Sequence, residues 1–126
     1  MGDEDLLDLG VLLAAGSDWP VMPSPDPWPG IQGLVTRADP SGQAPGALWP
    51  EQALTVPEAL HAYSLGVARA IGADDVTGSL EVGKSADFVV LDRDPLAVPV
   101  TELAATTVRQ TWFAGRRVHA VCAFGP

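Results

Sequence analysis

Asp18 is the carboxylate in this chain whose setting most suggests chemistry. It follows the apolar run Val11–Ala15 and stands in a turn bounded by Gly16 and Pro20. Parallel α/β enzymes place catalytic and metal-binding groups in turns of this kind, at the ends of buried strands. Asp18 is therefore a candidate metal ligand or proton shuttle. Because Asp before Trp-Pro is also ordinary turn chemistry, an Asx turn or a helix cap is the alternative.

The sequence spacing of neither histidine indicates a metal site shared with Asp18. His61 lies in a predicted helix, where a metal pair would need a second ligand four residues away. Pro57 and Leu65 occupy those two positions and supply no ligand. His119 lies in the last predicted strand. We expect both histidines to be surface residues.

A Ser-His-Asp triad is a second catalytic possibility, built from Ser17 or Ser64 with His61 and Asp18. The chain has no G-x-S-x-G elbow to present the serine. Since a triad is defined by geometry, the hypothesis requires Ser17 and His61 to lie within hydrogen-bond reach.

Three other polar features have simple interpretations. The segment Gly78–Lys84 lacks the preceding strand and the following Ser/Thr-bearing helix of a phosphate-binding loop. The acidic pairs Asp74–Asp75 and Asp92/Asp94 have too few ligands for a calcium loop and predict solvated loop charges. Cys122 has no basic cluster beside it, which predicts a small hydrophobic residue rather than a nucleophile.

Composition narrows the class of protein. The chain has 126 residues and a formal net charge of −9, from 16 acidic and 7 basic residues. Without a cationic face to meet a phosphate backbone, we expect no nucleic-acid partner. No apolar segment approaches the roughly 20 residues that span a bilayer, and the acidic start is unlike a signal peptide. We therefore expect no membrane partner and a cytoplasmic location.

The elements around Asp18 follow from short-range patterns. Residues 3–9 predict the end of a helix that Gly10 stops. Val11–Ala15 predicts a buried parallel strand, because it is short, apolar throughout and bounded by glycine. Residues 20–50 are rich in proline and predict a long irregular loop. Its aromatic content favours packing over disorder. The tryptophans concerned are Trp19, Trp28 and Trp49.

The second half of the chain predicts one helix followed by strands. Thr55 and Glu58 have the spacing of a capping box, and apolar residues then recur at helical spacing until Gly72. Ala86–Asp92 predicts a strand. Residues 108–113 and 117–121 predict a hairpin across a glycine-containing turn.

Three blocks in this order resemble the C-terminal region of the amidohydrolase superfamily, specifically the amidohydrolase 3 group often called YtcJ-like. They are GSDWPV at Gly16–Val21, EALHAYSLGVARAIG at Glu58–Gly72 and TGSLEVGKSADFVVLDRDPL at Thr77–Leu96. The ending VRQTWFAGRRVHA at Val108–Ala120 fits the last hairpin of the same family. The resemblance covers about residues 5–120.

The resemblance implies an α/β fold, namely the C-terminal fragment of a (β/α)₈ metal-dependent hydrolase barrel with the C-terminal strands of its urease-like composite β-sandwich. Residues 1–76 would form the last strand, proline-rich loop and helix of the barrel, and residues 77–126 the sandwich strands. Asp18 would be the aspartate after the eighth barrel strand, which binds the metal and shuttles protons. Trp19 would lie on the substrate-facing rim.

The family's other metal ligands are missing from the chain. Its His-x-His, its bridging lysine or acidic ligand and its later histidines have no match here. One carboxylate cannot hold a catalytic divalent metal, and zinc is the metal expected in the full-length family. We therefore expect this chain alone to bind no metal and to be inactive.

The resulting interpretation is a fragment of a hydrolase that acts on a small molecule by metal-activated water, at carbon–nitrogen bonds other than peptide bonds. Its partner would be the missing N-terminal region or a complementing chain. The alternative is a non-enzymatic module, or a subunit that completes a barrel supplied by another chain.

Overall fold

The computed structural model describes residues 3–121, which form helices in the first part and a small sheet in the second. The α-helices are α1 (Asp3–Asp8), α2 (Pro27–Thr36), α3 (Val56–Ala62) and α4 (Leu65–Ala70). The strands are β1 (Phe88–Leu91), β2 (Val108–Phe113) and β3 (Arg116–Ala120). Two 3₁₀ helices lie at Pro50–Gln52 and Val100–Ala105. The predicted α/β class is confirmed. None of the helices within residues 3–121 is long and apolar enough to cross a bilayer.

The sheet is antiparallel, with β2 between β1 and β3. Phe88 lies opposite Trp112, and their rings stack at 5.5 Å between centroids. β2 and β3 are joined by the tight turn at Ala114 and Gly115, which both have positive φ. The predicted strand and hairpin are confirmed, with slightly different ends.

The core joins the helical part to the connection between β1 and β2. The buried residues Trp28, Ile31, Leu54, Ala59 and Leu103 form one apolar cluster. Leu103 comes from the second 3₁₀ helix and is fully buried. Removal of this apolar surface from water is the main force that holds α2 and α3 against that connection.

Helix α2 corrects the prediction of an irregular loop over residues 20–50. The Asp26 carboxylate accepts a hydrogen bond from the Trp28 N–H at 3.1 Å and caps the helix. Pro27 occupies the first turn, where its missing N–H costs nothing. Of the three tryptophans expected to pack, Trp28 is buried, whereas Trp19 and Trp49 are 62% and 63% exposed.

The prediction of a buried strand at Val11–Ala15 is wrong for the described chain. Residues 11–17 form neither helix nor strand, and Val11 and Leu12 are 45% and 44% exposed. A parallel strand exists only beside a neighbouring strand, and the sheet found within residues 3–121 does not include this segment. The preceding helix ends as predicted, since Gly10 has a φ of 72° and donates to the Leu7 carbonyl at 2.8 Å.

The helix predicted after Thr55 begins as expected and is then interrupted. The Glu58 carboxylate accepts from the Thr55 N–H at 2.8 Å, and the Thr55 hydroxyl accepts from the Glu58 N–H, which completes the capping box. The helix stops at Ala62 and restarts at Leu65. Gly72 ends the second part with a φ of 69°, as predicted.

Candidate functional site

Asp18 begins a tight turn that is closed by a hydrogen bond from the Val21 N–H to the Asp18 carbonyl at 2.8 Å. The peptide bond between Trp19 and Pro20 is cis. Asp18 has a φ of 51°, in the left-handed region that non-glycine residues seldom adopt. Residues held in such conformations cluster at active sites and ligand clamps. The backbone therefore marks Asp18 as a candidate functional residue.

The Asp18 carboxylate is exposed, and within residues 3–121 it has no hydrogen-bond or ion-pair partner. An Asx turn would need the N–H two residues later, and Pro20 has none. Asp26 shows the contrasting case, because its carboxylate caps α2. The alternative of an Asx turn or helix cap at Asp18 is therefore wrong, and the carboxylate is available for a ligand.

The segment before Asp18 is attached to the interruption between α3 and α4. The Ala15 N–H donates to the Ala62 carbonyl at 3.0 Å. A Cβ at Gly66 would collide with the carbonyl oxygen of Leu13. Sequence reasoning did not find this contact. A glycine inside a predicted helix was the signal available, because it lowers helix stability and therefore suggests a packing reason.

The histidines lie where the sequence predicts, at the surface. His61 is exposed on α3, at the edge of an open cavity of about 280 Å³. The cavity is lined by Leu7, Leu13, Pro57, Glu58 and His61. His119 is exposed on β3, opposite Thr111.

The described residues do not by themselves fit a divalent metal. Within residues 3–121, no group of three or more His, Cys, Asp or Glu side chains is arranged to hold an ion. Asp18 supplies one carboxylate, whereas a catalytic zinc takes three protein ligands. Any metal that Asp18 binds must take its other ligands from outside the described segment. Cys122 also lies outside the described residues.

The Ser-His-Asp hypothesis is wrong for the described residues. The Ser64 hydroxyl, in the interruption between α3 and α4, donates to the Leu60 carbonyl of α3 at 2.7 Å. Within residues 3–121, no hydrogen bond joins the Ser17 or Ser64 hydroxyl to the His61 ring; the Ser64 N–H donates only to the His61 backbone carbonyl, at 3.1 Å. The nucleophile and base of a triad must be within such reach, so these residues form no activated serine.

Several other carboxylates are engaged in holding loops. Hydrogen bonds from the Arg93 guanidinium and the Thr107 N–H hold the pKa of Asp92 well below its ordinary value. The Asp92 side chain is only 12% exposed, so the prediction of a solvated loop charge is wrong there. The prediction of a solvated loop charge is confirmed for Asp74, whose carboxylate lies at the surface, 3.7 Å from the Arg69 Nε.

The Asp87 carboxylate ties two loops to β1, namely the connection that follows α4 and the turn between β2 and β3. It accepts hydrogen bonds from the Ala114 N–H at 2.7 Å, the Ser85 hydroxyl at 2.8 Å and the Thr77 hydroxyl at 2.9 Å. These three bonds lower the pKa of Asp87, and the bond from the Ala114 N–H has the largest effect. Asp87 is therefore a structural residue of the sheet, and both of its carboxylate oxygens accept hydrogen bonds.

Comparison with known proteins decides the family. The model of the amidohydrolase family matches residues 4–119. The chain belongs to the amidohydrolase family. This chain is 34% identical over 114 residues to YtcJ of Bacillus subtilis, which is named as an amidohydrolase. The matched region is 90% of this chain and 21% of that protein. The chain is 37% identical over 113 residues to the N-substituted formamide deformylase of Arthrobacter pascens, with 87% of this chain and 20% of the deformylase covered.

A solved structure shows the same fold in this region. The crystal structure of an amidohydrolase from Thermotoga maritima matches 92% of this amidohydrolase chain with a TM-score of 0.66, at 23% identity and over 25% of the solved chain. This chain spans about a fifth of the length of YtcJ and of the deformylase. The predicted membership of the amidohydrolase 3, YtcJ-like group is confirmed.

Proposed function

We propose that this chain supplies Asp18 to the catalytic centre of a metal-dependent amidohydrolase, which hydrolyses a carbon–nitrogen bond other than a peptide bond with metal-activated water. One observation carries the proposal. Asp18 presents an exposed carboxylate without a partner in the described chain, from a turn with a left-handed backbone. In this role the carboxylate is a metal ligand or a proton shuttle.

In this proposal the chain contributes to two domains of the enzyme, a barrel and a composite β-sandwich. Residues 1–76 supply the last strand, proline-rich loop and helix of a barrel, and residues 77–126 supply strands of a composite sandwich. The exposure of Val11 and Leu12 supports this division, because a barrel strand buries such residues between neighbouring strands. The open edges of β1 and β3 support it as well, since exposed edges favour pairing with further strands.

The metal is a divalent cation, with zinc the leading candidate. Since Asp18 is one ligand of the three that a catalytic zinc needs, the remaining ligands belong to another part of a longer protein or to a complementing chain. The isolated chain is therefore inactive in this proposal. A subunit that completes a barrel made by a separate chain is the second candidate, and the same exposed strand edges favour it.

The substrate class is a small molecule with an amide-type carbon–nitrogen bond. The relative from Arthrobacter pascens is named for N-substituted formamides, which makes an N-substituted formamide the first substrate to test. In this proposal Trp19 contacts the substrate at the rim, and its exposure next to Asp18 supports that role.

The test compares the chain alone with the assembled enzyme. The coding DNA directly upstream of the Met1 codon identifies the remaining polypeptide, either fused or separate. With zinc and an N-substituted formamide, we expect no turnover by residues 1–126 and turnover by the assembly. Asp18→Asn removes the ligating and proton-carrying oxygen and should lower kcat by at least ~100-fold, because acid–base groups contribute about 10²–10⁴-fold.

Asp75→Asn is the matched control, since Asp75 is also an exposed loop aspartate. It should leave kcat unchanged. The proposal fails if an active assembly keeps its kcat in Asp18→Asn, or if the isolated chain turns over substrate at the rate of the assembly.

A further inference from the structure

The interruption between α3 and α4 frees a carbonyl group that holds the Asp18 segment. In a continuous helix the Ala62 carbonyl would accept from the N–H four residues later, that of Gly66. Here it accepts from the Ala15 N–H at 3.0 Å. Ala62 is buried, so this is a protected bond between two distant parts of the chain. The interruption between α3 and α4 thus leaves the Ala62 carbonyl free to bond the backbone of residue 15.

Gly66 allows the same segment to approach on the other side of the interruption. It is buried in the first turn of α4, and a Cβ there would collide with the Leu13 carbonyl oxygen. The same Cβ would lie 3.1 Å from the His61 carbonyl oxygen. These obstacles are backbone atoms, which cannot turn aside as a flexible side chain can. A glycine is therefore required for the observed position of the segment.

Two further contacts hold the interruption in its shape. Ser64 has φ −125° and ψ −92°, outside the helical region, and its hydroxyl bonds the Leu60 carbonyl at 2.7 Å. Tyr63, which ends α3, lies with its hydroxyl against Gly30 of α2. The helix pair is thus anchored to the apolar core on one side while it holds residues 13–15 on the other.

We propose that Gly66 is a positioning residue for Asp18. Together with the Ala62 carbonyl, it sets the place of residues 13–15, and the Asp18 turn begins three residues later. Gly66 does not touch substrate; it acts through the backbone that carries the carboxylate. The catalytic part of this inference rests on the proposed function. A misplacement of about 1 Å in a reacting group can lower a rate by about 100-fold.

The first test measures how the segment is held, in residues 1–126. Gly66→Ala should make the Ala15 amide exchange with solvent at least ~10-fold faster by NMR, because its bond to Ala62 is lost. The amides of Ala59 and Tyr63 within α3 should keep their exchange rates. A role limited to general stability would accelerate all three amides together, and an unchanged Ala15 would overturn the proposal.

Two glycine variants are the matched controls. Gly33→Ala places a methyl group within α2 at ordinary contact distance, and Gly16→Ala places one on the Asp18 segment in open space. Neither should alter Ala15 exchange. If Gly66→Ala does not fold, Ala15→Pro removes the donor without a clash at Gly66. The carbon-13 shift of the Ala62 carbonyl should then move, because this carbonyl loses the Ala15 donor, and an unmoved shift would overturn the proposal.

The second test measures the consequence for catalysis in the assembled enzyme. Gly66→Ala should lower kcat by about 10- to 100-fold, and this loss should exceed any change in KM, because the displaced carboxylate acts in the chemical step whereas Trp19 contacts the ground state and the transition state alike. Equal kcat values for Gly66→Ala and Gly16→Ala would overturn the positioning role. An inactive wild-type assembly would overturn the proposed function instead, and the exchange rates would still decide how the segment is held.

Discussion

The Gln32 side chain of α2 accepts a hydrogen bond from the Ala104 N–H at 2.8 Å, between residues 72 positions apart in the chain. Gln32 is 8% exposed and lies beside the apolar cluster. The bond therefore joins the helical part to the 3₁₀ helix between β1 and β2. It is a polar contact in the region that holds the two parts of the described chain together.

Gln32→Leu should destabilise the fold by about 1–3 kcal/mol, because it leaves the half-buried Ala104 N–H without its partner. Urea unfolding followed by tryptophan fluorescence measures this loss. Gln43→Leu is the control, since Gln43 is exposed and its substitution should change the free energy of unfolding by less than about 0.5 kcal/mol. Equal effects at the two positions would contradict a structural role for the Gln32 bond.

Two glycines of α2 should respond in opposite directions to the same substitution. Gly33→Ala should stabilise the protein by about 0.4–1 kcal/mol, because its Cβ meets only ordinary contacts and the unfolded chain loses freedom. Gly30→Ala should destabilise it by about 1–3 kcal/mol, because its Cβ collides with the Tyr63 hydroxyl.

The double variant Gly30→Ala/Tyr63→Phe separates the collision from helix propensity. Removal of the hydroxyl should recover part of the loss, and thermal unfolding of the single and double variants measures the coupling. Two additive losses would show that Tyr63 and Gly30 are not in energetic contact.

The elements with local signals were predicted well from the sequence. The capping box at Thr55 and the glycine turn at Gly115 each depend on a few adjacent residues, so α3 and the hairpin appear as expected. Helix α2 was missed because its prolines suggested a loop, although Asp26 followed by Pro27 is a helix start. The strand at Val11–Ala15 depends on neighbouring strands, which no local pattern supplies.

The candidate site was predictable only in part, for the same physical reason. The turn at Asp18 follows from adjacent glycine and proline residues, and the structure shows that the residue is exposed. The role of Gly66 depends on the backbone of Leu13, more than fifty residues earlier in the chain. A pattern read along one segment cannot show that two distant backbones meet, so the interruption between α3 and α4 was not predicted.

The Asp39 carboxyl should titrate at unusually low pH. Hydrogen bonds from the Ser41 hydroxyl, then from the Ala44 and Ser41 N–H groups, lower its pKa to about 2 from the ordinary 3.8. Since the folded-state pKa is depressed, its contribution to the order of the loop is complete above about pH 4 and disappears as the pH falls through about 2. Carbon-13 NMR of the carboxyl group measures the midpoint.

Ser41→Ala removes the largest of these effects and should raise the Asp39 midpoint toward 3.8. Ser79→Ala, in another exposed loop, is the control and should leave the Asp39 midpoint unchanged. A midpoint near 3.8 in the unmodified chain would show that the loop of residues 39–44 does not hold these hydrogen bonds in solution.

Trp19 provides a prediction about substrate binding that is separate from the chemistry of Asp18. If its exposed ring forms part of the rim, Trp19→Ala should raise KM for an N-substituted formamide by about 10-fold. This change corresponds to a loss of about 1.4 kcal/mol of binding free energy from apolar contact. The change in kcat should be small, since the ring contacts ground state and transition state alike. Phe113→Ala removes a comparably exposed ring from β2 and should leave both constants unchanged. Parallel losses in kcat for Trp19→Ala would place the ring in the catalytic step and contradict a role confined to the rim.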